Sequence, residues 1–176
     1  MSADLSDLIK AGLRDVPDFP RPGVVFKDIT GLLADAASLR AVVEGIARRY
    51  APGTVDTVLG LEARGFILGA PVALELGAGF VPVRKAGKLP RETYQATYDL
   101  EYGSATVEIH TDAVQPGSRV LIVDDVLATG GTGEAAVRLV RQAGGTVVGF
   151  SVLIELGFLE GRRRLTDVEP HALAVL

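Results

Sequence analysis

The chain has 176 residues, 48% of them hydrophobic and 23% charged, a composition that excludes disorder as the main state and predicts one domain with a full core. A formal net charge of −4 and the lack of a basic tail argue against non-specific binding to nucleic acid or to a membrane surface. The absence of Cys excludes disulfides, thiolate catalysis and Cys-bound zinc. A charged N-terminus and no long uncharged apolar segment predict neither a secretory signal nor a membrane span, so we expect a cytoplasmic location.

Hydrophobic periodicity and turn residues predict the elements in chain order. A short amphipathic helix is expected to begin at Ser2 or Asp4 and to end near Arg14, and the Pro-rich stretch 17–23 that follows excludes a helix interior. Further helices are predicted over 38–50, 65–76, 133–143 and, shorter, 158–165. Strands are predicted over 55–61, 79–84, 96–101, 104–110, 119–123, 146–154 and 172–175. The polar segment 85–95, broken by Gly87 and Pro90, is expected to be a mobile loop.

The alternation of strands and helices predicts the architecture and the location of a site. It is typical of an α/β fold with a mostly parallel sheet and helices on both faces. Ligands of such sheets bind at the carboxyl ends of the strands. We therefore expect functional residues in the loops that directly follow strands.

The segment 120–132, VLIVDDVLATGGT, carries the strongest chemical signal. It places Asp124 and Asp125 after a buried strand and before a loop of small residues that leads into a helix. Backbone N–H groups at such a helix N-terminus suit the dianionic end of a phosphate monoester, here at Ala128, Thr129, Gly130, Gly131 and Thr132. The carboxylates repel phosphate but suit sugar hydroxyls or a hydrated Mg²⁺. A phosphorylated sugar therefore fits between the two halves.

Each half of this motif has an ordinary structural alternative. Adjacent aspartates after a strand often form a turn or cap a helix, and Gly-Gly-Thr is a common loop. Both halves at this spacing are more specific than either one alone. The chain lacks the Gly-Lys-Thr of a Walker loop and the GxGxxG of a dinucleotide site, which disfavours nucleoside-triphosphate hydrolysis and dinucleotide binding.

At these residues the chain resembles the type I phosphoribosyltransferases, whose phosphoribosyl-pyrophosphate loop is similar to 120–132. Four other segments resemble the adenine phosphoribosyltransferase family in the same order: FPRPGVVFKDI at 19–29, GLEARGF at 60–66, RKAGKLP at 84–90 and YDLEYG at 98–103. The resemblance covers residues from about 17 to 165. It implies a mostly parallel twisted sheet flanked by helices, in a single domain over 1–176. It also implies a flexible loop and a small hood over the base, to which residues from about 1 to 35 contribute.

The resemblance also implies roles for individual residues. Asp124 and Asp125 are expected to hold the ribose hydroxyls, and Glu101 to act as the general base. Pyrophosphate is expected to contact Arg64, Arg84, Lys85 and Lys88, and adenine to contact Val25, Phe26, Lys27 and Leu159. Several of these residues also have simple structural explanations from the sequence. Arg64 could be a surface side chain paired with Glu62, and Phe26 and Leu159 could belong to the core. The basic cluster could be a solvated loop, and Glu101 an exposed strand residue beside a Gly turn.

The preference for one purine base over another depends on the hydrogen-bonding group at position 6 of the base. A 6-oxopurine presents an acceptor at position 6 and needs a donor, whereas the exocyclic amine of adenine needs an acceptor such as a backbone carbonyl. Related 6-oxopurine enzymes use a Lys beyond the phosphoribosyl loop, but lysines occur here only at 10, 27, 85 and 88. Backbone N–H groups or Arg could still serve as donors, so this preference for adenine is not decisive.

The resemblance implies an Mg²⁺-dependent transfer of ribose 5-phosphate from 5-phospho-α-D-ribose 1-diphosphate to adenine, which gives AMP and pyrophosphate. The metal is expected to be held mainly by the substrate, and no protein ligand is assigned to it. A homodimer is implied because a basic residue of the 84–90 segment enters the partner's site in that family. The alternatives are a xanthine or other purine phosphoribosyltransferase, and a non-catalytic regulator that senses the phosphoribosyl ligand.

Overall fold

The computed structural model describes residues 4–100 and 103–176. Within them the helices are α1 (Leu5–Gly12), α2 (Thr30–Ala34), α3 (Ala36–Ala47), α4 (Arg64–Leu76) and α5 (Gly131–Gln142). The strands are β1 (Arg14–Pro17), β2 (Val25–Asp28), β3 (Thr57–Leu61), β4 (Gly79–Lys85), β5 (Thr93–Asp99), β6 (Ser104–His110), β7 (Arg119–Leu127), β8 (Thr146–Glu155) and β9 (Pro170–Val175). Two 3₁₀ turns, Gly157–Leu159 and Gly161–Arg164, precede β9.

The main sheet of the described residues has the strand order β5-β6-β4-β3-β7-β8-β9. The strands from β4 to β9 in this order run parallel to one another, and β6 is antiparallel to both β4 and β5. The expected α/β fold with a mostly parallel sheet is confirmed. The chain leaves β3 toward β4 on one side and β7 toward β8 on the other, so the strand order reverses between β3 and β7.

Two hydrophobic clusters cover the two faces of this sheet. Along β7, Val120 and Ile122 pack into the cluster that includes α5, while Leu121 and Val123 pack into the cluster that includes α3 and α4. These four side chains are fully buried, as a strand covered on both faces requires. The central strands are therefore the most firmly held part of the sheet, and their carboxyl ends form a rigid base for a site.

Capping residues explain where several helices begin and end. The Asp4 carboxylate accepts a hydrogen bond from the Ser6 N–H at the start of α1, and the Asp35 carboxylate accepts one from the Ser38 N–H at the start of α3. Helix α4 ends at Gly77, whose φ of 65° lies in the left-handed region that glycine adopts without strain. The helices expected at the N-terminus and over 38–50, 65–76 and 133–143 are confirmed within two or three residues at their ends.

The structure corrects four local expectations. Strand β5 begins at Thr93, so the segment expected to be a loop to residue 95 is shorter, because Thr93 and Tyr94 pair with His110 and Ile109 of β6. The expected helix over 158–165 is two 3₁₀ turns. Helix α5 begins two residues before the expected position, and β7 continues four residues beyond it.

Two small elements were not expected from the sequence: the five-residue helix α2 and the pair formed by β1 and β2. Strands β1 and β2 form an antiparallel pair separate from the main sheet, with Val16 opposite Phe26 and Pro17 opposite Val25. Each strand has only four residues, all exposed in β1 and mostly half-buried in β2, and neither shows the hydrophobic alternation that predicts a strand.

In the described part of the chain, no helix combines the length and the apolar character that crossing a membrane requires.

Candidate active site

The carboxyl ends of β3 and β7 form the floor of a pocket of about 380 Å³. They lie where the strand order reverses, which is the position at which open α/β sheets bind ligands. The peptide bond between Glu62 and Ala63, directly after β3, is cis. The pocket is lined by Leu61, Glu62, Ala63, Arg64, Val83, Lys85, Tyr98, Val107, Asp124, Asp125, Val126 and Thr132. Residues predicted from three separate segments thus share one cavity.

Asp124 and Asp125 lie within β7, which corrects the expectation that they belong to a loop after the strand. The strand continues because Asp124 and Val126 keep their register with Val152 and Ile154 of β8. Asp125 is buried, with an exposed fraction of 5%. Both carboxylates are therefore held by a paired backbone, which is a more rigid support than a loop provides.

Arg64 pairs with Asp125, and this corrects the alternative in which it pairs with Glu62. The distance from Arg64 Nε to Asp125 Oδ2 is 2.6 Å. Asp125 Oδ2 is nevertheless a buried atom without a hydrogen bond, because the Arg64 N–H is not aimed at it. The two opposite charges are therefore close together, but the groups are not oriented for a hydrogen bond.

Among the carboxyl groups of the pocket, Asp124 has the most strongly shifted pKa. Burial raises its pKa well above the usual range, and the neighbouring Asp125 carboxylate raises it further. The Asp125 N–H donates to Asp124 Oδ1 over 2.8 Å. Helix α4 packs closely here: a Cβ on Gly65 would lie 2.8 Å from the Val123 carbonyl oxygen and 3.0 Å from Asp124 Oδ1. Glycine at 65 is therefore required for α4 to begin beside the carboxylates.

The loop after β7 forms a second, smaller pocket of about 70 Å³ that adjoins the first at Asp124 and Thr132. Its lining includes every residue of the predicted phosphate loop: Ala128, Thr129, Gly130, Gly131 and Thr132. Gly130 has a φ of 83° and precedes α5, whose first turn contains Gly131 and Thr132. The first intrahelical hydrogen bond of α5 runs from the Glu134 N–H to the Gly130 carbonyl. The N–H groups of the preceding turn are those that a helix leaves unpaired, and they suit an anion.

Of the predicted pyrophosphate residues, Arg64 at the start of α4 and Lys85 at the end of β4 line the pocket, whereas Arg84 and Lys88 are not part of its lining. Glu62, two residues before Arg64, accepts hydrogen bonds from Arg84 Nε at 3.0 Å and from the Lys85 N–H at 2.9 Å. The Lys85 N–H is the main cause of the lowered pKa of Glu62, and Arg84 adds to it. Arg84 is thus tied to a carboxylate, while the Lys85 side chain lines the pocket.

Glu108 is a buried carboxylate that sequence analysis missed. Its exposed fraction is 2%, and it accepts hydrogen bonds from the N–H groups of Lys88 and Leu89 and from the side chains of Thr93 and Gln95. Burial favours a higher pKa for Glu108, but the backbone donors and Gln95 outweigh it and lower the pKa. The loop that carries Lys88 is therefore anchored to β6. A Glu between Val107 and Ile109 is typical of a solvent-facing strand position, so no sequence pattern indicates this role.

The predicted base-binding residues lie beside Arg64. The Arg64 guanidinium carbon is 4.8 Å from the centroid of the Phe26 ring, and Phe19 meets the same ring edge-on at 5.1 Å. Phe26 is only partly buried, so the alternative in which it belongs to the core is wrong. Val25 and Leu159, in β2 and in the first 3₁₀ turn, are 50% and 38% exposed. Lys27 forms an ion pair with Asp15 at 2.7 Å.

Glu101, the predicted general base, lies outside the described residues, as does Tyr102. The structure brings the other predicted residues to the carboxyl edge of the sheet or to the segments that border it.

Comparisons with known proteins agree with this geometry. Residues 30–172 match the family model described as the phosphoribosyl transferase domain. The chain is 66% identical to adenine phosphoribosyltransferase of Thermobifida fusca, and the match covers 100% of both chains. It is similar to the crystal structure of adenine phosphoribosyltransferase from Rhodothermus marinus, with a TM-score of 0.93 and 51% identity over 98% of each chain.

A third relative is known with ligands. The Trypanosoma brucei adenine phosphoribosyltransferase, solved in complex with AMP, pyrophosphate and ribose-5-phosphate, is 27% identical, with a TM-score of 0.90 over 99% of this chain and 80% of that one. From the family match and the full-length identity, the chain belongs to the adenine phosphoribosyltransferases.

Proposed function

We propose that this pocket transfers ribose 5-phosphate from 5-phospho-α-D-ribose 1-diphosphate to adenine and releases AMP and pyrophosphate, a reaction of purine salvage. The observation that carries the proposal is the juxtaposition of two carboxylates on β7 with a phosphate-sized pocket at the N-terminus of α5. Membership of the adenine phosphoribosyltransferases supports adenine as the substrate, and it favours an enzyme over a non-catalytic regulator.

The phosphate of the sugar is proposed to lie in the smaller pocket. Thr129 offers a hydroxyl donor, and the first turn of α5, which contains Thr132, offers unpaired N–H groups and the positive end of the helix dipole. No lysine is needed at this position, because several backbone donors share the charge of a phosphate monoester.

The ribose is proposed to lie above Asp124 and Asp125. Their oxygens accept hydrogen bonds from the 2- and 3-hydroxyls, and their negative charge stabilises positive charge that develops on the sugar ring. Two adjacent carboxylates also fit Mg²⁺, which binds proteins through one or two carboxylates together with substrate oxygens. When bound, Mg²⁺ neutralises charge on the leaving pyrophosphate. Asp124 and Asp125 are the residues that would contact it, and the substrate supplies the remaining oxygens.

The pyrophosphate is proposed to leave along the basic side of the pocket. Arg64 begins α4, Lys85 lines the cavity, and Arg84 and Lys88 lie on β4 and on the loop after it. Because Asp125 and Glu62 already offset part of the charge of Arg64 and Arg84, the lysines are the more available cations. Cations placed where charge develops stabilise the transition state.

Adenine is proposed to stack against Phe26, with Val25 and Lys27 reading its edge through their backbone groups and Leu159 covering it from the tail. The exposed apolar surface of these segments supports this assignment, because a planar base needs an apolar face and a few polar contacts. Glu101 is proposed to accept the proton that leaves the imidazole ring of adenine as N9 attacks the sugar.

We also propose that the protein acts in the cytoplasm as a homodimer, in which a basic residue of the loop after β4 enters the partner's pocket. Ile67 and Leu74, two turns apart on α4, have exposed fractions of 47% and 83% and offer an apolar surface for a second copy. Light scattering after size exclusion tests this assembly, and Leu74→Asp is expected to shift it toward the monomer. A wild-type protein that is monomeric at all concentrations would contradict the proposal.

The test of the reaction is formation of nucleoside monophosphate from the activated sugar and Mg²⁺ with adenine, hypoxanthine, guanine or xanthine in parallel. We expect AMP from adenine and much slower turnover of the three 6-oxopurines, which lack the 6-amino group that would donate a hydrogen bond to a backbone carbonyl. A higher kcat/KM for xanthine or guanine than for adenine would show that adenine is not the preferred substrate. The Asp124→Asn, Asp125→Asn double variant is the control for background activity.

A further inference from the structure

Tyr98, a residue without a predicted role, contacts the phosphate loop from an edge strand of the sheet. It belongs to β5, the outermost strand of the sheet, whose sheet partner is β6. Its hydroxyl oxygen accepts a hydrogen bond from Thr132 Oγ1 at 2.9 Å, and Tyr98 lines the larger pocket together with Thr132. A predicted phosphate ligand is therefore tied to a different part of the sheet.

Two further contacts join the same strand to α5. A Cβ on Gly131 would lie 2.8 Å from Tyr98 Cδ2, so the ring packs against the start of α5 at a distance that only glycine allows. Arg138 Nη2 donates to the carbonyl oxygen of Thr97 at 2.5 Å, two turns along the helix from Gly131. The three contacts run along one side of α5 and hold the end of β5 against it.

The position of this contact in the chain gives it a functional meaning. Tyr98 lies near the end of β5, and Thr132 belongs to the proposed phosphate loop. The geometry points to Tyr98 as a positioning residue that docks the end of β5 on the phosphate loop and so orients the bound sugar phosphate toward the carboxylates of β7. This inference rests on the proposed function.

The contact has two parts that can be separated by substitution. Tyr98→Phe removes the acceptor of the Thr132 hydroxyl but keeps the ring over Gly131, whereas Tyr98→Ala removes both. A neutral hydrogen bond of this kind corresponds to a change of about two- to tenfold in an equilibrium. Tyr94→Phe is the matched control, because Tyr94 lies on the same strand and packs against the core.

The first measurement is the single-turnover rate of AMP formation at saturating substrates, together with the affinity for ribose 5-phosphate by calorimetry. We expect Tyr98→Phe to lower the rate about two- to tenfold and Tyr98→Ala to lower it more, with ribose 5-phosphate affinity within twofold of wild type for Tyr98→Phe. Tyr94→Phe is expected to match wild type. An unchanged rate in Tyr98→Phe, or a tenfold loss of ribose 5-phosphate affinity without a change in rate, would overturn the positioning role.

The second measurement is a double-mutant cycle with Thr132→Val. If Tyr98 acts through Thr132, Tyr98→Phe has no further effect on the rate in the Thr132→Val background. Additive losses would show that the hydrogen bond does not carry the effect, and would overturn the inference.

Hydrogen exchange of the hairpin amides separates this inference from the proposed reaction. Loss of docking is expected to speed exchange in a peptide that covers 93–100 in Tyr98→Ala, but not in Tyr94→Phe, whatever the wild-type protein catalyses. If the wild type forms no AMP while exchange responds as expected, the proposed function fails and the docking contact stands. Unchanged exchange in Tyr98→Ala would overturn the docking itself.

Discussion

The two central strands carry an Asp–Arg pair at each end, and the two pairs are built differently. At the amino ends, Asp56 precedes β3 and accepts hydrogen bonds from the N–H, Nε and Nη2 of Arg119, at 2.8, 3.0 and 2.7 Å. These bonds lower the pKa of Asp56 to about 2. At the carboxyl ends, Asp125 lies 2.6 Å from Arg64 but leaves Oδ2 without a hydrogen bond.

This difference in hydrogen bonding shows which end of the strands leaves a buried polar atom without a partner. The amino-end pair is exposed and fully hydrogen-bonded, and it needs no ligand. The carboxyl-end pair is more buried, and it lies beside Asp124, whose pKa is raised by burial and by a like charge. Perturbed and imperfectly paired groups in a cavity are typical of functional sites, because a substrate completes their interactions.

The largest expected effect comes from removing both carboxyl-end charges. The double variant Asp124→Asn, Asp125→Asn should lose about 10²-fold or more in kcat/KM, because two charge-assisted contacts to the ribose are lost. Steady-state kinetics measures this loss, and circular dichroism checks that the fold is kept. Wild-type activity in the double variant would remove the ribose assignment.

A loss of similar size is expected for the predicted general base. Glu101→Gln should lower kcat roughly 10²-fold while AMP binding is kept, since an amide cannot accept the proton. Single-turnover assays with chemistry rate-limiting test this prediction, and calorimetry with AMP provides the control. Turnover at the wild-type rate would exclude Glu101 as the base.

A smaller effect is expected at the phosphate loop. Thr129→Val should weaken binding of AMP and of the phosphorylated sugar by roughly tenfold, the scale of one lost hydrogen bond to a charged group. Thr132→Val should weaken it less, because the Thr132 hydroxyl donates to Tyr98. Binding of adenine alone should hardly change. Calorimetry with each ligand measures the difference, and equal AMP affinity in both variants and wild type would place the phosphate elsewhere.

The single variant Asp124→Asn tests whether the buried charge of Asp124, beside that of Asp125, destabilises the fold. The fold favours the protonated form of Asp124, so its stabilising contribution is present below the ordinary pKa of Asp and is lost as pH rises through the raised pKa. Asn stands for the protonated form and retains an acceptor for the Asp125 N–H. The variant should therefore melt at or above the wild-type Tm at neutral pH, and a markedly lower Tm would show that the charge stabilises the fold.

The smallest effect is expected at the amino end. Asp56→Asn should lower Tm slightly at neutral pH, because exposed pairs contribute little, and should leave kcat/KM unchanged. The pKa of Asp56 is depressed, so its contribution is present above the ordinary pKa of Asp and is lost as pH falls through about 2. Thermal melts of wild type and variant should therefore converge at low pH. A difference in Tm that persists at pH values below 2 would contradict this origin.

The parts of the site that sequence analysis anticipated are those built from contiguous residues. Segment 120–132 contains a buried strand, two carboxylates and a helix N-terminus in one stretch, so local patterns indicate both its structure and its chemistry. The extent of β7 was missed because charged residues such as Asp124 and Asp125 are rare inside buried strands, and only pairing with β8 shows that they belong to one.

The parts that sequence analysis missed depend on contacts between distant segments. Glu108 is buried only because the loop after β4 folds over it, and Tyr98 meets Thr132 only because β5 packs against α5. The contact of Phe26 with Arg64 likewise joins a short hairpin to the start of α4. Such juxtapositions leave no periodicity in the sequence, since the residues on either side of each contact follow their own local patterns.

The most direct test of the account compares the two ends of the same strands in one assay. Single-turnover formation of AMP from adenine, Mg²⁺ and the activated sugar would be measured for wild type, for Asp56→Asn and for the Asp124→Asn, Asp125→Asn double variant. We expect the first two rates to agree within twofold and the third to be lower by about 10²-fold or more. Equal loss at both ends, or no loss at the carboxyl end, would contradict the claim that the chemistry lies at the carboxyl ends of β3 and β7.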